Sequence, residues 1–128
     1  MLCNMKELLT EAEKENRAVG SFSVHSMKNV KGVIRAAEES ETPVIIQIAE
    51  ARLIHAPLHL MAPMMLAATS DAKVRLAVHL DHGVHLETIR QALDYGFTSV
   101  ITSSHWSLFD REKEHGRNYW NYWCFIRY

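Results

Sequence analysis

The sequence predicts an α/β fold of about four parallel strands joined by crossover helices. Three observations lead there. Short runs rich in β-branched and apolar residues recur along residues 1–105, the clearest being Val44-Ile45-Ile46-Gln47-Ile48. Between them lie stretches whose apolar residues return at helical spacing. Each connection is long enough to carry the chain back across a sheet, as parallel neighbours require.

Asn4 stands as an N-cap with Glu7 three positions on, a capping-box spacing, and Leu8, Leu9 and Ala12 give the opening helix its apolar face. Ala18-Val19-Gly20-Ser21-Phe22-Ser23-Val24 alternates and is bounded by polar residues, which predicts the first strand. From Lys28 to Glu39, Val30, Val33, Ile34 and Ala37 mark a helix that Thr42-Pro43 prevents from running on. Val44 to Ile48 follows as a strand buried on both faces. A helix over about Leu58 to Thr69 carries Pro57 near its start and Pro63 as an internal irregularity. Val74 to Leu80 is the third strand. Leu86, Ile89, Ala92 and Leu93 stripe the next helix, Gly96 closes it, and Phe97 to Ile101 is the fourth strand. Four such strands fit either part of a doubly wound sheet or about half of an eight-stranded barrel, and periodicity does not separate the two.

Composition bounds the function classes. The chain has 128 residues, enough for one ordinary domain, with 48% hydrophobic and 23% charged residues, a globular balance. Net charge is -1 with both signs interspersed, which argues against nucleic acid or an anionic membrane as partner. Cys3 and Cys124 lie at opposite ends without paired spacing, as expected in a reduced compartment, and the N-terminus shows no signal-peptide core; a cytoplasmic location is expected.

His79-Leu80-Asp81-His82-Gly83 falls where the third strand ends, and the C-terminal ends of parallel strands are where ligands and catalytic groups gather. An imidazole suits a divalent metal, and an adjacent carboxylate can move a proton without being a ligand. The plain alternative is that His79 packs in the core, Asp81 caps the next helix, and His82 and His85 are solvated. His55 and His59 share an i, i+4 spacing, but Pro57 intervenes, so a surface role is expected. Met61, Met64 and Met65 read as helix packing.

In order and spacing, Ala18-Val19-Gly20-Ser21-Phe22, Thr42-Pro43-Val44-Ile45-Ile46-Gln47, His79-Leu80-Asp81-His82-Gly83 and Gly96-Phe97-Thr98-Ser99-Val100 together resemble class II fructose- or tagatose-bisphosphate aldolases. The resemblance implies the N-terminal half of a TIM (β/α)8 barrel over residues 1–105. It implies carbohydrate metabolism such as glycolysis: reversible cleavage of a phosphorylated ketose to dihydroxyacetone phosphate and an aldehyde. It implies a divalent metal, usually zinc, with His82 as one ligand and Asp81 as the acid/base for the proton on the C4 hydroxyl; a homo-oligomer would be ordinary for the family. Two segments depart from the common pattern. Phe22-Ser23-Val24-His25-Ser26 stands where many members have Phe-Asn-Val-Asn-Asn, so no role passes to Ser23 or His25. Val100-Ile101-Thr102-Ser103-Ser104-His105 lacks the Asp of the usual Asp-Gly-Ser-His and is one residue short, so no second metal role is carried onto it.

A barrel of this kind needs roughly 250 residues. The expectation is a truncated chain, inactive alone, that ends before the other metal ligands and phosphate loops. Residues 106–128 change character: eight of the eleven Phe, Trp and Tyr residues fall there, with no clear period, and His115 supports no assignment. One reading is a frameshift, because Arg111 to Asn118 can be encoded so that the next frame gives a Glu-rich helix start. The other is a genuine aromatic tail that caps the partial barrel, self-associates or docks a partner without catalysis.

Overall fold

The computed structural model describes residues 1–102. Its elements run α1 (Met5–Lys14), β1 (Gly20–Ser23), α2 (Met27–Glu39), β2 (Val44–Ala49), a 3-10 turn (Glu50–Arg52), α3 (Leu58–Asp71), β3 (Leu76–Gly83), α4 (Leu86–Tyr95) and β4 (Ser99–Thr102). The strands form one parallel sheet in the order β1-β2-β3-β4. Each strand lies beside the next in sequence. A doubly wound sheet reverses its strand order at a switch point, whereas a (β/α)8 barrel adds each strand on the same side, so this order is that of one arc of a barrel. The expected aromatic segment at 106–128 lies outside the described residues.

Local sequence accounts for the ends of the helices. The Asn4 carboxamide accepts a hydrogen bond from the Lys6 amide at 2.8 Å, and Ser26 Oγ accepts one from the Asn29 amide at 3.3 Å. Gly96 closes α4 with φ +107°, a left-handed conformation that costs glycine little. The helix of Leu58–Asp71 continues through Pro63, which stands on its exposed side.

Side chains alternate across the strands, and the two faces differ. Val44, Ile46 and Ile48 of β2, Leu76, Val78 and Leu80 of β3 and Val100 of β4 point to the helices. There they meet Val30 and Ile34 of α2, Met61 and Met65 of α3 and Ile89 and Ala92 of α4 in the main core. On the other, inner face the buried apolar cluster is that under α1, where Met5 and Leu8 cover Ile45 and Ala77.

The strand boundaries differ most from the predicted runs in β1, β3 and β4. The first strand is shorter than the predicted Ala18–Val24 run and is exposed throughout, as suits an edge. The third starts at Leu76 and continues past Leu80 to Gly83, because pairing with β4 resumes at Gly83–Thr102 after an irregularity between Leu80 and Gly83. The fourth starts at Ser99, after Phe97, whose ring is fully buried in the main core. Among the described residues no helix is long and apolar enough to cross a membrane.

Candidate functional site at the C-terminal end of β3

Above the α1 plug, the inner face turns polar. Ser23, Gln47, His79 and Ser99 lie in one register row across the four strands. Gln47 is the one polar residue in β2, and it links β1 on one side to Asp81 of β3 on the other. Its carbonyl oxygen accepts from Ser21 Oγ at 2.7 Å. Its amide nitrogen donates to Ser23 Oγ at 3.2 Å and to Asp81 Oδ2 at 3.1 Å. Both hydrogens of that nitrogen are thereby used, and the Asp81 carboxylate is held from below.

His79 is 2% exposed and lies 2.8 Å through Nδ1 from Ser99 Oγ, which in turn donates to Met5 Sδ at 2.9 Å. The Ser99 hydroxyl thus stands between the His79 ring and the Met5 sulfur, and fixes the ring on the inner face. Burial pushes the His79 pKa down to about 4 despite the opposing charge of Asp81. It is therefore a neutral imidazole at physiological pH. The core-packing alternative holds for this histidine.

Two residues further, the pattern is broken. Asp81 is largely covered, with a side-chain exposure of 19%, whereas the His82 side chain is 71% exposed. His82 adopts φ +50°, a left-handed conformation that is uncommon outside glycine, at the ladder irregularity between Leu80 and Gly83. This is how one strand delivers two adjacent side chains to one mouth: Asp81 points along the inner face, and the bulge turns His82 out beside it. His82 Nε2 lies 3.7 Å from Asp81 Oδ1, too far for a hydrogen bond. Gly83 is required next, because a Cβ there would stand 2.9 Å from Ile89 Cγ1 and 3.2 Å from the Ile101 carbonyl oxygen.

Asp81 does not cap α4. The carboxylate beside the segment that leads into α4 is that of Glu50, on the turn after β2. Its carboxylate accepts from the Val84 amide, from the His85 amide at 3.1 Å, from Thr88 Oγ1 at 2.9 Å, and meets His85 Nδ1 at 2.6 Å. Burial alone would raise the Glu50 pKa, but the Val84 amide and the His85 and Thr88 contacts outweigh it and hold the carboxyl below its ordinary value. His85, merely solvated in the plain alternative, is exposed but tied to this carboxylate. Glu50 was missed because its partners are about 35 residues away in sequence. Gln47 could have been noticed as a lone amide in an apolar strand.

His55 and His59 are exposed, with His55 in the turn before α3, and Met61 and Met65 are buried in the main core with Met64 packed against it. Among the described residues no three His, Cys, Asp or Glu side chains converge to hold a metal ion. His82 is accessible and chemically suited to be one ligand, but a catalytic zinc takes three protein ligands, and the described residues do not complete such a centre.

The arrangement can hold a carboxylate and an imidazole side by side at the mouth of a parallel sheet, and the chain as a whole is similar in sequence to known proteins. The family model "Fructose-bisphosphate aldolase class-II" matches residues 3–114. The fructose-bisphosphate aldolase of Thermus caldophilus is 38% identical over 106 residues, covering 82% of this chain and 34% of that protein. The 6-phospho-5-dehydro-2-deoxy-D-gluconate aldolase of Bacillus subtilis is 37% identical over 107 residues, covering 80% and 37%. The crystal structure of the YdjI aldolase from Escherichia coli K12 superposes with a TM-score of 0.75 at 30% identity, covering 78% of this chain and 39% of that one. The chain thus spans about a third of the length of the curated relatives it matches. On these matches, the chain belongs to the class II fructose-bisphosphate aldolase family.

Proposed function

We propose that the chain supplies the acid/base and one metal ligand of an aldolase that reversibly cleaves a phosphorylated ketose to dihydroxyacetone phosphate and an aldehyde. The observation that carries this is the Asp81–His82 pair, set by a strand irregularity at the C-terminal mouth of the sheet. In this reading Asp81, held through Oδ2 by Gln47, takes the proton from the C4 hydroxyl as the carbon–carbon bond breaks and returns it in the reverse direction. His82 would be one ligand of a divalent metal, taken here as zinc, which would supply Lewis-acid polarisation of the substrate ketone. In this reading the other ligands and the phosphate-binding groups belong to the remaining part of the barrel, and the 128-residue chain does not turn over without them. The substrate is a phosphorylated ketose as a class; similar relatives are named for two different substrates. The reaction is assigned to the cytoplasm.

A chimaera tests this: residues 1–102 of this chain replace the matching N-terminal third of the Thermus caldophilus relative. The expected result is cleavage of fructose or tagatose bisphosphate that a chelator abolishes and zinc restores, with no cleavage by the 128-residue chain. A folded chimaera without cleavage of either substrate would contradict the proposal.

A further inference from the structure

His82 is held on both sides. Upstream, the ladder to β4 binds Leu80 opposite Val100; downstream, Gly83 pairs with Thr102, and the next two amides, of Val84 and His85, both donate to the Glu50 carboxylate. A left-handed non-glycine residue is strained and persists only where its surroundings over-determine it. The Glu50 side chain is 10% exposed, and it gathers two amides, one imidazole and one hydroxyl from the segment that follows the bulge. It also sits at the start of α4, where His85 provides no side-chain cap of its own and a negative charge is favoured. No other side chain joins the end of β2 to the end of β3 through so many bonds among the described residues.

We infer that Glu50 is a positioning residue for the Asp81–His82 pair: by clamping Val84 and His85 it keeps His82 left-handed and aimed at the mouth of the sheet. The inference rests on the reading of Asp81 and His82 given above. Glu50 touches neither; it acts through the two residues after Gly83. A glutamine at this position retains one oxygen and replaces the other with a donor, which faces the amide that the lost oxygen accepted from. An aspartate keeps the charge but falls one methylene short.

The test is NMR on the isotope-labelled 128-residue chain as wild type, Glu50→Gln and Glu50→Asp, with urea unfolding to correct for global stability. Glu50→Gln is expected to speed hydrogen exchange at the Val84 and His85 amides by about tenfold or more after that correction. It should also remove the left-handed signature of His82, read from its HN–Hα coupling and Cβ shift, and Glu50→Asp should restore part of both. If Glu50→Gln does not fold, Glu50→Asp is read against wild type in the same way. Unchanged exchange and an unchanged His82 signature in the folded variant would overturn the inference. In a cleaving chimaera, Glu50→Gln should lower kcat by about tenfold or more with KM little moved; an unchanged kcat would also overturn it. The NMR signals need neither substrate nor metal, so a clamp that fails and an aldolase reading that fails are seen separately.

Discussion

The two faces of β3 carry alternate residues of one eight-residue strand and are built for different ends. Leu76, Val78 and Leu80 point to the helices and are fully buried in an apolar core. Ala77, His79 and Asp81 point the other way, and along that face the surroundings change from the apolar plug of α1, through a hydrogen-bonded polar row, to a largely covered carboxylate held by Gln47. The helix-covered face gains stability from burying area. The inner face gives up some of that burial to hold polar groups in fixed orientations, which is what a reacting centre needs.

The largest break in this contrast should come from Leu80→Ala. Removing a fully buried leucine from the main core is expected to cost about 2–5 kcal/mol of unfolding free energy, read by urea denaturation. Next is acid. His79 binds its proton at about 4 when folded against an ordinary value of 6.5, so between these values the unfolded chain holds more protons. Its contribution is complete above pH 6.5, declines as pH falls, and is fully lost below about 4, a loss on the order of 3 kcal/mol. Stability measured across that window should fall less steeply in His79→Gln than in wild type. An equal slope in both would mean that this imidazole is not the buried neutral group described here.

Smaller effects sharpen the picture of the polar row. Ser99→Ala leaves the buried His79 Nδ1 without its partner, at an expected cost of about 1–3 kcal/mol. Gln47→Ala removes bonds among more exposed groups and should cost only about 1 kcal/mol. In the chimaera it should nevertheless reduce turnover, because Asp81 loses the group that orients it. A Gln47→Ala chimaera with wild-type kcat would separate that hydrogen bond from the chemistry.

Legibility in the sequence follows the same division. The helix-covered face was readable because burial leaves a periodic record: Val44 to Ile48 announces a strand and Val30, Val33, Ile34 and Ala37 a helix without reference to anything distant. The order of the strands was not, since periodicity is the same in a barrel and in a doubly wound sheet; it took the family-like motifs to favour one. Asp81 and His82 could be nominated because they are adjacent, but the bulge that turns His82 outward depends on pairing with β4, and pattern reading ended the strand at Leu80 instead of Gly83. Glu50 was beyond reach for the same reason, since a carboxylate's partners across a sheet leave no periodic trace.

The most direct measurement is kcat/KM for the chimaera carrying Asp81→Ala, with its unfolding free energy measured beside it. A carboxylate placed for proton transfer should, when removed, lower kcat/KM by about 10²-fold or more while leaving the fold within about 1 kcal/mol of its parent. Retained cleavage, or a loss of stability as large as that of Leu80→Ala, would contradict the division of labour between the two faces and place the chemistry elsewhere.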